Sequence, residues 1–401
     1  MKIYEIGTGY TSIPAQMGAA TEIVVEELTK AFLKQHVDVR ILDICDAKRA
    51  ENSLPIEEVW LPQFFNSNSV VKLGLFHKMK RVLYSLALTV RLKSLLKREQ
   101  GKVVLHFHNQ YNLFFFLKFT SEKLRGKCTI AYTVHSSVWM NDWEEIEKTV
   151  KKRYFQEVYC CQHADRVFVL NDKTSENLQS HCGVLPSRLV QIKNGVNTEV
   201  YNEEAVSHEV VAELKRRYQI ISKKNLLQVG SVCERKNQLG SLRLLLPMMR
   251  KDESLCFLFA GGIIDAAYYE KIMQYAKDNA VAERVIYIGE IPPGKILNSW
   301  YALSDVCILN SLSESFGMVV VESLSVSRPI FVNAALFDSV DFLKEYEGEG
   351  VVRITENFQD DFCRMINDKE YYSEMKEKGR SLVEKEYSWD AVAKKYLENY
   401  E

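Results

Sequence analysis

At 401 residues the chain is longer than one hydrophobic core ordinarily serves, so two domains are expected. Hydrophobic residues make up 47% and charged residues 26%, and 52 Lys plus Arg face 53 Asp plus Glu. That balance excludes a disordered chain and gives no electrostatic reason to expect nucleic acid as a partner. The nine cysteines include an adjacent pair, Cys160 and Cys161, and no Cys-x-x-Cys, so neither a disulfide framework nor a zinc site is indicated and a reducing cytoplasm fits.

MKIYEIGTGY reads as a strand entering a turn rather than as a signal peptide. After a loop containing Pro14, a helical pattern runs from about Gly18 to Gln35, followed by the strand VDVRILD. From Lys72 to Lys102 nine Lys or Arg and one Glu are interleaved with apolar residues. The preferred reading is a helix packed on the sheet through Met79, Val82, Leu83, Leu86 and Val90 with its basic residues outside. The competing reading is peripheral membrane contact beside a lipid-linked acceptor. Further strands are VVLHFH, ending in His106 and His108, CTIAYTVH, ending in His135, and RVFVLN, ending in Asn171, which suits a helix cap or a ligand contact.

Beyond the turn at Asn194 and Gly195 the pattern restarts with NLLQVG, CFLFAGG, RVIYIGE, DVCILN and RPIFVN, each followed by a segment able to form a helix. The expected class is α/β, with two Rossmann-like domains at 1–200 and 207–385 and a final helix at 386–401 returning to the first. Ligands of such sheets gather at the carboxyl ends of strands, so the two domains are expected to face a central cleft.

The most informative stretch is DVCILNSLSESFGMVVVESLSVSRPIFVN. A strand leads through a Ser-rich loop with Glu314 into a helix that starts near Phe316 or Gly317 and contains Glu322. Backbone N–H groups at Phe316, Gly317 and Met318 favour an anion there, and Gly317 permits close approach by phosphate oxygens. Glu322 is suited to accept hydrogen bonds from ribose hydroxyls, with Glu314 toward a sugar. Upstream, LLQVGSVCERKNQLG sets Gly230 and the cations Arg235 and Lys236 before another helix, and RVIYIGEIPPG offers backbone at Gly289 and Ile291.

Taken together, these segments resemble the retaining glycosyltransferases of family 4, which have the GT-B fold and carry two glutamates separated by seven residues, as Glu314 and Glu322 are. The resemblance implies transfer of a sugar from a nucleotide-diphosphate donor to a hydroxyl acceptor, a glycan or a lipid-linked molecule, in cell-surface polysaccharide or glycolipid synthesis. It implies that Arg235 and Lys236 stabilise the leaving diphosphate, that Glu314 orients the sugar, and that His135 lies beside it. Gly18, Gly230, Gly289, Ile291, Phe316, Gly317, Met318 and Glu322 would serve the donor. No Asp-x-Asp occurs, so no metal and no other cofactor is expected. The chain departs from the family pattern at Ser231, where Arg is common, at Ala19, where a second glycine is usual, and in NAALFDSVDFLKEYEGEG, which lacks paired glycines and looks helical. A nucleotide-sugar epimerase, a phosphorylase or a non-enzymatic nucleotide-sugar sensor shares the fold and stays open as an alternative.

Overall fold

A computed structural model describes residues 1–14, 20–62, 75–221, 224–314, 316–338, 340 and 342–400. It divides into two compact units, one formed by Met1–Gly195 with Trp389–Glu401 and the other by Val196–Ser388.

The first unit carries a parallel sheet of β1 (Lys2–Ile6), β2 (Asp38–Ile44), β3 (Ile56–Val59), β4 (Val103–Phe107), β5 (Cys128–Thr133), β6 (Arg166–Val169) and β7 (Leu189–Gln191), in the order β3-β2-β1-β4-β5-β6-β7. The second carries β8 (Lys224–Val229), β9 (Leu255–Ala260), β10 (Val285–Gly289), β11 (Val306–Leu309), β12 (Ile330–Asn333) and β13 (Val351–Ile354), in the order β10-β9-β8-β11-β12-β13. The strands read as nearly unbroken apolar runs because helices cover both faces, and alternate residues feed two cores. In the second sheet Leu227, Leu258 and Leu309 enter one core while Leu226, Phe257, Phe259 and Ile308 enter the other. In each sheet the strand order reverses at the centre, between β1 and β4 and between β8 and β11, which is where such folds hold ligands.

The first helix spans Ala20–Lys34. Gly18 falls outside the described residues. The helix Trp389–Asn399 belongs to the first unit, where Trp389, Val392, Ala393 and Tyr396 join Ile3, Val104 and Phe168 in one core. Asn171 caps the helix Asp172–Cys182, its side chain accepting from the Thr174 N–H at 2.8 Å.

The helix Leu75–Arg98 packs the opposite way from expectation. Its buried face is Tyr84, Leu88, Leu92, Leu95 and Leu96, whereas Met79, Val82, Leu83, Leu86 and Val90 face solvent, with exposures from 37% at Leu83 and Leu86 to 67% at Val90. The helix has two apolar stripes and only one can meet the sheet. The leucine-rich stripe, continuous at i, i+4 and i+8 through Leu88, Leu92 and Leu96, takes that place.

Candidate functional site

In the second unit the switch point is built by two loops that lace together. β8 is followed by Gly230, after which a short turn, Glu234–Lys236, leads into the helix Gln238–Lys251. β11 ends in the loop that carries Glu314. The Leu312 N–H donates to the Arg235 carbonyl at 2.8 Å, and the Arg235 guanidinium donates to the Ser313 carbonyl at 2.8 Å. The Lys236 ammonium then forms an ion pair with the Glu314 carboxylate, and Arg235 Nη1 lies 3.7 Å from its other oxygen. Lys236 and Glu314 are largely buried, whereas Arg235 is half exposed.

Glycines make this geometry possible. At Gly230 φ is +152°, and a Cβ there would press to 3.2 Å on the Lys236 side chain. At Gly261, directly after β9, φ is +144° and a Cβ would lie 2.2 Å from the Gly230 carbonyl oxygen. Gln228 and Gln238 brace the turn, Gln228 donating to the Lys236 carbonyl at 2.7 Å and Gln238 to the Ser231 carbonyl at 3.0 Å. Sequence reasoning missed Gly261 and both glutamines. The double glycine closing CFLFAGG and the polar residues flanking the turn were the available signals.

The helix Met318–Ser325 begins beside this cluster, with Gly317 at φ +78° before it. The Val320 N–H is taken by the Gly317 carbonyl at 2.8 Å, while the helix dipole and the N–H groups nearest the amino end favour an anion. Phe316 offers only backbone there, because its ring is buried against Phe342 and Tyr387. Glu322 accepts from the Tyr301 hydroxyl at 2.8 Å and is also hydrogen-bonded by Tyr201. Burial outweighs these bonds and pushes its pKa up to about 7. Gly289, at φ +101°, has open space where a side chain would stand, although its carbonyl already accepts from the Gly261 N–H at 2.8 Å. Ile291 packs on the apolar core beside it.

His135 lies in the first unit, where it ends a buried polar chain that the sequence reading did not anticipate. Glu5 on β1 pairs in register with His106 on β4. The Glu5 carboxylate meets His106 Nδ1 at 3.0 Å and His108 Nε2 at 2.7 Å, and His108 Nδ1 lies 3.0 Å from His135 Nε2. His106 also reaches Thr133 Oγ1 at 2.8 Å and the Tyr400 hydroxyl at 2.9 Å. Burial would raise the Glu5 pKa, but the charge and hydrogen bonds of His106 and His108 prevail and hold it at about 2. Burial and the neighbouring His106 lower His108 to about 4, and burial with both histidines drives His135 well below the usual range.

A carboxylate can only accept, so His108 carries its proton on Nε2 and offers Nδ1 as an acceptor. His135 must then donate from Nε2, which leaves its Nδ1 as a lone pair on a partly exposed side chain. The ligand atoms of Glu5, His106 and His108 lie within 4.8 Å of one another, close enough for a divalent cation. Each is already engaged in hydrogen bonds inside the cluster.

Two doubly wound parallel sheets, each with a switch point, define the GT-B class. Consistent with this, the chain matches the model of Glycosyltransferase Family 4 over residues 21–200 and that of Glycosyl transferases group 1 over residues 211–382. The chain belongs to the group 1 glycosyltransferases of family 4. It is 22% identical over 241 residues to a GDP-mannose-dependent alpha-(1-6)-phosphatidylinositol monomannoside mannosyltransferase of Mycobacterium tuberculosis, a match covering 58% of this chain and 60% of that relative. In fold it is similar to the catalytic domain of starch synthase IV from Arabidopsis thaliana, at a TM-score of 0.71 with 14% identity, covering 100% of this chain and 98% of the other. It is also similar to an Anabaena protein, HepE, in complex with UDP and glucose, at a TM-score of 0.65 with 13% identity, covering 99% and 98%.

Proposed function

We propose that this protein transfers a sugar, with retention of anomeric configuration and without a divalent metal, from a nucleotide-diphosphate donor to a hydroxyl of a glycan or lipid-linked acceptor in polysaccharide or glycolipid synthesis. The observation that carries this reading is the junction of Lys236, Arg235 and Glu314 at the switch point of the second sheet, beside the amino end of Met318–Ser325. A diphosphate leaving from the sugar gains negative charge on its bridging oxygen, and two fixed cations with oriented N–H groups stabilise that charge as it grows.

In the proposed step the bond between the anomeric carbon and the phosphate oxygen breaks. The acceptor oxygen bonds to that carbon from the same face, and the acceptor proton passes to the departing phosphate oxygen. Glu314 orients the sugar and, through its ion pair, fixes Lys236. The tyrosine-held Glu322 receives the ribose, Gly230 and Gly289 admit donor backbone contacts, and His135 offers its Nδ1 lone pair to a sugar hydroxyl. The names of the relatives support a nucleotide-sugar donor and a glycolipid or glycan acceptor for this chain.

Thermal-shift screening against UDP-, GDP- and ADP-sugars identifies the donor, because a bound donor stabilises the native state by mass action. Product formation with that donor in excess EDTA, followed by NMR assignment of the anomeric linkage, tests the rest. An inverted linkage or loss of turnover in EDTA overturns the corresponding part of the proposal.

A further inference from the structure

Among the described residues, the outward face of the helix Leu75–Arg98 leaves a row of large apolar side chains exposed. Met79, Val82, Leu83, Leu86 and Val90 are all exposed, and at 100° per residue they fall within one arc of about 120°. Leu75 and Phe76 extend the same arc toward the amino end and are exposed too. The opposite side of the same helix is already spent on the core through Tyr84, Leu88 and Leu92. Contiguous apolar surface of this kind marks an interaction site.

Charge identifies the occupant. The helix contains seven Lys or Arg and no acidic residue. Several of these cations are engaged by the protein itself: Lys80 donates to the Tyr10 carbonyl at 3.1 Å, Arg81 stacks on Tyr111 at 3.6 Å, and Arg91 pairs with Glu57 at 2.8 Å. Lys78, Lys97 and Arg98 remain exposed, with no ion-pair partner among the described residues. The next acid along the chain, Glu99, is held by Lys2 and Tyr4. Lys93, in line with the apolar arc, donates to the carbonyl of Phe119, whose exposed ring carries the apolar surface onto the neighbouring helix Gln110–Phe119.

We infer that the outward stripe of Leu75–Arg98 is a docking surface for an anionic lipid bilayer, with the helix lying in the interface plane. Apolar side chains enter the acyl boundary while Lys78, Lys97 and Arg98 meet headgroup phosphates. No helix among the described residues is long and apolar enough to cross the membrane, so contact through this face is peripheral. A second copy of the chain fits less well, since it would bring the same unpaired cations to the interface. The inference does not depend on the proposed reaction, and its test does not measure turnover.

The experiment is co-sedimentation of the full chain with vesicles of phosphatidylcholine alone or mixed in equal parts with phosphatidylglycerol. Native protein is expected to sediment with the anionic vesicles and to be released by salt. Val82→Glu/Leu86→Glu should lower the bound fraction roughly tenfold or more, and Lys97→Glu/Arg98→Glu should lower it for anionic vesicles specifically. Circular dichroism and thermal unfolding check the fold of each variant, and Val82→Ser/Leu86→Ser replaces the first variant should it unfold. Absence of native binding, equal binding to both vesicle types, or binding insensitive to the apolar substitutions would overturn the inference. So would a concentration-dependent dimer that the apolar substitutions dissociate while vesicle binding is absent.

Discussion

Lys236 and Glu314, from loops on two adjacent strands, meet as a largely buried ion pair at the centre of the second sheet. Each holds the other in place, so removing either affects both. Glu314→Gln and Lys236→Ala are each expected to lower kcat/KM by about 10²- to 10³-fold. The double variant should fall short of the product of the two losses, because one coupled element is lost in each case. Steady-state kinetics on the double-mutant cycle checks this, and full additivity would show that the pair does not act as a unit.

Glu322 offers a prediction with opposite signs for stability and binding. Its pKa in the folded chain is about 7 against an ordinary 4.5, so the folded state holds a proton that the unfolded state loses. Stability from this group is fully present below 4.5 and lost as pH rises through 7. Glu322→Gln should therefore be more stable than the native chain by roughly 3 kcal/mol at pH 8 and no different at pH 4. Donor affinity should drop about tenfold, since one ribose hydroxyl would face an amide N–H. Thermal melts at the two pH values, with and without donor, read both effects.

The histidine chain makes the first unit sensitive to acid. His108 has its pKa held down to about 4 from 6.5, so it stays neutral in the folded state while the unfolded chain takes up a proton. Its contribution is present above 6.5 and is lost as pH falls toward 4, and Glu5, lowered from 4.5 to about 2, extends the loss below that. His108→Gln should flatten the slope of stability between pH 6.5 and 4, removing a change of roughly 3 kcal/mol. Denaturant titrations across that range test it, and an unchanged slope would mean His108 is not the titrating group.

Gly261→Ala should destabilise the second unit by about 2–4 kcal/mol, since the methyl group would strike the Gly230 carbonyl at a strained φ of +144°. Gly289→Ala meets only open space, so backbone strain alone applies and the loss should stay near 1 kcal/mol. Comparing the two by chemical denaturation separates collision from conformational strain.

The central strands were legible in the sequence because buried parallel strands are short apolar runs bounded by glycine or polar turns, as in NLLQVG and CFLFAGG. β3 and β13 were not: each is four residues long, lies at a sheet edge and carries polar residues such as Glu57 and Arg353. Lys236 and Glu314 could be named from their loops, but their pairing across 78 positions could not be read from local pattern. The same limit hid the meeting of Glu5, His106 and Tyr400, which come from three distant segments. For Leu75–Arg98 the difficulty was different, since both helix faces satisfy an apolar periodicity and only tertiary packing chooses between them.

The placement of Trp389–Asn399 in the first unit bears on how the molecule is made. Tyr396 and Tyr400 cover His106 and Phe168, and Gly195 has no side chain because the Trp389 ring stands 2.5 Å from where its Cβ would be. A chain made from its amino end therefore presents the first sheet with its polar histidine chain uncovered until Trp389–Asn399 has emerged. The interior unit, Val196–Ser388, is emitted whole and can fold while its predecessor waits. Premature termination anywhere after Ser388 would spare the second unit and leave the first with an open core.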